Sequence, residues 1–327
     1  MRTFWKTVGV TCATMALAMV SVSANAEWPE KPIKLVIQFS AGGGGDQTLL
    51  PLKPLLEEKL GVPFLYSYKP GAGSRIGTEV IFADGADGNT IGALFLPHLA
   101  NTTIFAEPSY AIDDFAPLGI ISNDVPIWFV NKDSPFQNMN DLVAAAKARP
   151  NEVTLAIGSF TGEHYITVAL LEEQAGVRFR AVNVKGGSKV MSNVVGGHFD
   201  VGVSRPSSIL RVRDEIKGIG VVAPKRSKLF PEAGTFDEQL PGVKIPYLSN
   251  SRGLMTSAAF RKNNPDGFAK LAAAFEDAVK SDEYAKTLVR MGLELNWSGP
   301  DEAAAQVKTA YEAMQKYKPL IGEAKNR

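Results

Sequence analysis

A run of four glycines, Gly42-Gly43-Gly44-Gly45, stands between an apolar stretch and a helical one, and it constrains this chain more than any other feature. Before it, Ile33-Lys34-Leu35-Val36-Ile37 reads as a buried strand; after it, Thr48-Leu49-Leu50, Leu52, Leu55 and Leu56 carry helical spacing. Glycines have no Cβ, so the main-chain N–H groups of such a turn come close to a ligand. The unpaired N–H groups at a helix start attract anions. Asp46, which closes the turn, is placed either to cap the helix or to stand on the ligand side.

The same device recurs. Phe64-Leu65-Tyr66-Ser67-Tyr68 reads as a second strand, followed by Lys69-Pro70-Gly71-Ala72-Gly73-Ser74-Arg75-Ile76-Gly77 and a helical run. Val153-Thr154-Leu155-Ala156-Ile157 leads into Gly158-Ser159-Phe160-Thr161-Gly162-Glu163-His164 and a helix ending at Gly176. Arg180-Ala181-Val182-Asn183-Val184 leads into Lys185-Gly186-Gly187-Ser188 and a helix ending at Gly196-Gly197. Further strands are expected at residues 90–95, 114–122, 127–130, 200–204, 218–223 and 251–257. Alternating strands and helices predict an α/β fold with mostly parallel sheets, whose ligands sit beyond the carboxyl ends of strands. All four turns lie at such ends, two in the first third of the chain and two in the middle. If those thirds are separate domains, the turns face each other across a cleft. Pro51 and Pro54 predict a first helix that is bent or starts late. Residues 225–246 read as mostly loop. Three helices are expected at the end, starting at Asn264-Pro265, Ser281 and Ser298, the last with Ala303, Val307, Ala310, Met314 and Tyr317 on one face.

Composition excludes several function classes. The chain has 327 residues, 45% hydrophobic and 21% charged, with formal charge +1, so nothing marks a nucleic-acid binder. Residues 1–26 read as a cleaved secretory signal peptide: Arg2 and Lys6 at the start, an apolar run over 8–22, then Ala24-Asn25-Ala26 as a small-x-small cleavage site. Without Arg2 and Lys6, 33 of the 35 basic residues remain against 34 acidic ones, net −1, so an anionic ligand must be held locally. Cys12, the single cysteine, lies inside the signal, which leaves the mature chain without disulfides, thiolate chemistry or cysteine-bound metal. An exported, cysteine-free, soluble chain suits a bacterial periplasm. Gly71, Gly73 and Gly77 do not have dinucleotide spacing, and there is no phosphate-loop motif. His164 does not belong to an H-E-x-x-H motif, since no histidine stands at Thr167 or Val168, so neither zinc nor any other metal or cofactor is expected. The alternative of an exported serine hydrolase acting on a carboxylic ester needs a nucleophile, a base and an orienting acid. It finds no G-x-S-x-G elbow and only three histidines.

Taken in order, these motifs resemble the extracytoplasmic solute-binding receptors of tripartite tricarboxylate transporters, of the Bordetella uptake gene type. The resemblance runs over nearly the whole mature chain. It rests on Trp28-Pro29-Glu30-Lys31-Pro32-Ile33, the two glycine turns of the first third, Gly158 through His164, Lys185-Gly186-Gly187, Gly196-Gly197-His198-Phe199-Asp200-Val201 and Lys225-Arg226-Ser227. It implies a two-domain, Venus-flytrap-like periplasmic binding protein with two crossover strands, near residues 127–131 and 247–255. Domain 1 would hold residues 27–127 plus 251–327, and domain 2 residues 128–250. It also implies a receptor that is not an enzyme: a monomer that captures a small organic carboxylate (a di- or tricarboxylate or an aromatic acid) and delivers it to membrane permease subunits. Main-chain amides of the first two glycine loops would grip the carboxylate, which falls here on Phe39, Ser40, Gly43, Gly44 and Asp46, and on Ala72, Gly73, Ser74 and Arg75. Hydroxyl-bearing loops of the second domain would add Ser159, Thr161, His164, Ser188 and Ser204. The chain departs from the family pattern at Gln38 and Ala41, where relatives usually carry proline, and at Val184, where a tyrosine is common.

Single residues keep two readings each. Arg75 is available to pair with a ligand carboxylate or to face solvent from its helix. His164 is a pocket-wall or a structural histidine. Ser74, Ser159 and Thr161 are placed to donate to a carboxylate or to cap helices. Arg252, before Gly253 at the return crossover, holds the hinge or faces the cleft.

Overall fold

A computed structural model describes residues 28–42, 44–160 and 162–320. Residues 1–26, expected from sequence to be a signal peptide, and the site candidates Gly43 and Thr161 lie outside the described residues. Ten strands make two five-stranded sheets. The first has the order β2-β1-β3-β10-β4, from Ile33–Ile37 (β1), Phe64–Tyr68 (β2), Thr90–Phe95 (β3), Phe115–Asp124 (β4) and Asn250–Ser257 (β10). The second has the order β7-β6-β8-β5-β9, from Ile127–Asn131 (β5), Thr154–Ile157 (β6), Arg180–Asn183 (β7), Val201–Ser204 (β8) and Ile216–Val221 (β9). The helices are Gly44–Leu49 (α1), Lys53–Leu60 (α2), Arg75–Asp84 (α3), His98–Phe105 (α4), Met139–Ala148 (α5), Glu163–Ala175 (α6), Gly187–Val195 (α7), Pro206–Ile209 (α8), Phe236–Gln239 (α9), Ala258–Asn263 (α10), Pro265–Val279 (α11), Asp282–Arg290 (α12) and Pro300–Lys316 (α13).

Each sheet defines a lobe, and the chain passes between them twice. Val125-Pro126 carries it from β4 to β5, and the segment after β9 returns it to β10. Parallel pairing is confined to β1 with β2 and β3, and β6 with β7 and β8. The crossing strands run the other way: β10 is antiparallel to β3 and β4, and β5 to β8 and β9. The sheets are therefore mixed rather than mostly parallel. A strand entering from the other lobe arrives at the carboxyl ends of the parallel strands, as the pairing of Ile127 with Ser204 shows, and so must run against them.

The two prolines of the first helix break it. A 3-10 turn, Leu50–Leu52, separates α1 from α2, because proline lacks the N–H that would continue the helical ladder. In the second lobe, Trp128 on β5 is fully buried between Phe179 and Phe236. Burying a large apolar side chain stabilises the fold by roughly 1.5–3 kcal/mol. Phe236 comes from the 225–246 segment, which thus closes the core although its only helix is α9, capped by Thr235. Four helices, not three, end the described chain. Ser257 starts α10 by accepting from the Ala259 N–H, while Asn264 and Ser281 cap α11 and α12 as their spacing predicts. Ser298 instead pairs by its main chain with Ile120 of β4, and α13 starts at Pro300. Ala303, Val307, Ala310 and Met314 are the buried face of α13.

Candidate functional site

The first glycine turn is fastened from within. Asp46, third in α1 and buried, accepts from the Gly42 N–H and from the Tyr68 hydroxyl, both at 2.7 Å, one on each carboxylate oxygen. Gly44 opens α1 and Ser40 is exposed. The Phe39 ring meets the rings of Phe95 and His98 edge-on at 5.1 Å. The second turn is strained. Gly71, Ala72, Gly73 and Ser74 have φ of 130°, 47°, 68° and 94°, so two non-glycine residues occupy left-handed space. Each costs on the order of 1–3 kcal/mol, and such strain concentrates at ligand sites. Ser74 is buried beneath α3, with its carbonyl taken by Thr78 Oγ1.

In the second lobe the glycines are required by close approach. Gly186 donates to the Gly158 carbonyl at 2.9 Å, and a Cβ on Gly158 would stand 3.2 Å from the Gly186 carbonyl carbon. One on Gly187 would stand 3.2 Å from Ser204 Oγ. The ends of β6, β7 and β8 are thus drawn together around the start of α7. Ser204, 1% exposed, ends β8, and its Oγ has no hydrogen-bond partner among the described residues. Next to it, Arg205 reaches Glu163 at the start of α6: Nη2 and Nε both donate to Oε1, at 2.6 and 3.2 Å. His164 Nε2 lies 3.6 Å from the same oxygen.

Two adjoining cavities result. A larger one of about 480 Å³ lies between the lobes, with Ala72, Gly73, His98, Asn101 and Phe105 on one side and Ser159, Glu163 and Arg205 on the other. A smaller one of about 160 Å³ sits in the second lobe, walled by Gly158, Ser159, His164, Gly187, Ser204 and Ser208. Glu163, Arg205 and Ser159 line both. Of the residues expected from sequence, the structure gathers Ala72, Gly73, Ser159, His164 and Ser204 here. Phe39 touches the site through His98. Ser40, Asp46, Ser74, Arg75 and Ser188 line neither cavity. Arg75 lies along α3 and pairs with Glu79 one turn on, at 3.3 Å. Ser188 is exposed on the first turn of α7.

Sequence reasoning missed Glu163, Arg205 and His98 as site residues. Arg205 follows an apolar strand and precedes Pro206, a strand-end position that the rule for α/β sheets would have flagged. His98 carries no comparable signal, since α4 has no regular apolar spacing.

Electrostatics follow from burial and pairing. Burial alone would raise the Glu163 pKa, but the Arg205 guanidinium outweighs it and holds the carboxyl at about 2. Burial pushes His164 down to about 4 and lowers His98 as well, so both imidazoles are uncharged at neutral pH and the His164–Glu163 contact is not an ion pair. At the crossover, Asp124 is raised by burial and opposed by Arg252, whose Nη2 lies 3.6 Å away. Arg252 therefore belongs to the hinge. Asp124 also accepts from the Ser207 hydroxyl, which ties the crossover to the second lobe. Among the described residues, no group of three or more His, Cys, Asp or Glu is placed to hold a metal ion.

The family profile described as "Tripartite tricarboxylate transporter family receptor" matches residues 52–325. A Cupriavidus necator protein, "UPF0065 protein in gbd 5'region", is 29% identical over 330 residues, covering 98% of this chain and 96% of that one. Among solved structures, a TctC solute-binding protein from Polaromonas superposes with a TM-score of 0.81 at 21% identity, over 90% of this chain and 99% of that one. MatC from Rhodopseudomonas palustris with bound malate gives 0.64 at 19% identity, over 90% and 100%. These likenesses show the periplasmic-binding-protein fold. The family match covers most of the chain: it belongs to the tripartite tricarboxylate transporter receptor family, a family of solute receptors and not of enzymes.

Proposed function

We propose that this member of the tripartite tricarboxylate transporter receptor family captures a small organic carboxylate between its lobes in the periplasm and delivers it to membrane permease subunits. One observation carries this. The strained turn of Ala72 and Gly73 faces Ser159 and Arg205 across a cavity of about 480 Å³, a volume in the range of small-molecule sites. A left-handed run of peptide units exposes successive N–H groups on one side and forms a nest for an anion. The first glycine turn, on which the sequence reading puts Gly43 and Gly44, would add further amides, its shape fixed by Asp46. From the second lobe Ser159, Ser204 and His164 supply neutral hydrogen-bonding groups, with Thr161 and Ser188 on the same loops. The division read from sequence, residues 27–127 with 251–327 and residues 128–250, falls within a residue of the strands that enter each sheet at the two crossovers. Closure of the lobes on the ligand supplies affinity, and the receptor works as a monomer. That a structural neighbour holds malate supports the carboxylate class.

A thermal-shift screen with mono-, di- and tricarboxylates and aromatic acids tests the proposal. A ligand at ~100 times its Kd stabilises the folded chain by about 2.7 kcal/mol. No shift with any carboxylate would reject the ligand class, and release of a product would reject the receptor mechanism.

A further inference from the structure

The second-lobe wall of the cleft holds an arginine, yet it is formally neutral. Arg205 gives Nε and Nη2 to one oxygen of Glu163, and that carboxylate is 4% exposed, so it cannot turn away to solvent. The other acid in the field of Arg205 is Asp124, and Asp124 is matched by Arg252. On the wall itself one guanidinium faces one carboxylate, and His164 adds no charge at neutral pH.

What the wall leaves uncommitted is neutral. Ser204 Oγ and His164 Nε2 on this wall, and His98 Nδ1 across the cleft on α4, are buried without a hydrogen-bond partner among the described residues. A hydroxyl both donates and accepts, and a neutral imidazole nitrogen does one or the other according to tautomer. Unpaired buried groups of this kind destabilise the empty site and are satisfied by a ligand that donates and accepts in turn.

A second carboxylate on the ligand meets a different balance. Placed ~4 Å from the Arg205 guanidinium, it would stand ~5–6 Å from the Glu163 carboxylate. Because Coulomb energy falls as the inverse of distance, about 70% of the attraction is cancelled. The anion would still lose its hydration on entering the site. A primary amide or hydroxyl loses far less on entering.

We propose that the Glu163–Arg205 pair makes this receptor select a monocarboxylate whose far end is a neutral hydrogen-bonding group, such as a primary amide or hydroxyl, over the dicarboxylate of the same length. This rests on the carboxylate reading above: one acid group in the glycine-turn nest, and the other end of the ligand against the second lobe. Titration calorimetry of the full-length mature chain near neutral pH tests it with three matched pairs: succinamate and succinate, glutaramate and glutarate, adipamate and adipate. The half-amide is expected to bind at least about ten-fold more tightly than its dicarboxylate in the pair of best length, and Glu163→Gln, which frees the guanidinium for a second anion, should narrow or invert that ratio. Dicarboxylates binding as tightly as or more tightly than their half-amides would overturn the proposal while leaving the carboxylate reading intact. A folded Glu163→Gln that keeps the wild-type ratio would also overturn it. Absence of binding by all six would overturn both. The wild-type ratios decide the matter even if Glu163→Gln fails to fold.

Discussion

Replacing Arg205 by Met keeps the aliphatic stem and removes the charge, and the consequence can be worked from Glu163. That carboxyl is held at about 2 against an ordinary 4.5. At 1.36 kcal/mol per pKa unit, the folded state at neutral pH gains about 3 kcal/mol from the difference. Because the folded pKa is depressed, this contribution is complete above about pH 4.5 and is lost as pH falls towards 2. In Arg205→Met the sign reverses. Burial is then the largest influence on Glu163, opposed only by His164 and by its own backbone N–H, and it raises the pKa, so protonation on acidification relieves the strain. Leaving a buried charge unpaired costs about 3–5 kcal/mol, which lowers the melting temperature by on the order of 10 °C for a lobe-sized unit. The assay is a ligand-free thermal melt followed by tryptophan fluorescence, to which Trp128 in the second-lobe core reports, across a pH series from neutral to acidic. The variant should melt well below wild type at neutral pH, and the gap should close as the solution becomes acidic. A variant within about 2 °C of wild type at neutral pH, or a gap that ignores pH, would refute the claim that Arg205 and Glu163 form a buried, mutually dependent pair.

Three further expectations concern the turns and the lobe contacts. Asp46→Ala leaves the Gly42 N–H and the Tyr68 hydroxyl without their acceptor; each lost bond costs about 1–3 kcal/mol, and calorimetry should show weaker carboxylate binding together with a lower melting temperature. Arg75→Ala breaks a half-buried i,i+4 contact with Glu79, worth about 0.3–0.5 kcal/mol, so ligand affinity should change less than about two-fold; a larger loss would show that Arg75 reaches the ligand. Glu294, in the segment before α13 that pairs with β4, accepts from Ser227 Oγ and from the Lys228 and Leu229 N–H groups of the second lobe at 2.7, 2.8 and 3.2 Å. Glu294→Ala should free the lobes to separate, seen as a larger radius of gyration by small-angle scattering without ligand; an unchanged radius would show that the latch does not hold the interlobe angle.

How much of this was legible in the chain can be seen from particular residues. Ile33 to Ile37, the glycine corners and the caps at Asn138, Asn264 and Ser281 are local: neighbouring residues set their conformation, so spacing and residue type suffice. The convergence of Ala72 and Gly73 with Ser159 follows from strand ends meeting at a crossover, and the topology rule for α/β sheets anticipates it. Arg75 and Arg205 mark where local reasoning stops. Both are arginines beside a helix start, at strand-end turns. One lies along α3 against Glu79, and the other is locked to Glu163, 42 residues away. Nothing within either hexapeptide distinguishes them.

By itself the sequence determined most of the strands, the α/β class and the backbone corners suited to an anion, because strand period, helix period and glycine's freedom at positive φ act over a few residues; the two lobes came only with the family resemblance. Only the tertiary structure decided which charges face the cleft, which cancel, and which polar groups are left buried without a partner. Those outcomes depend on distances between segments far apart in the chain and on how much water the fold excludes around them, and both quantities exist only once the two lobes are packed.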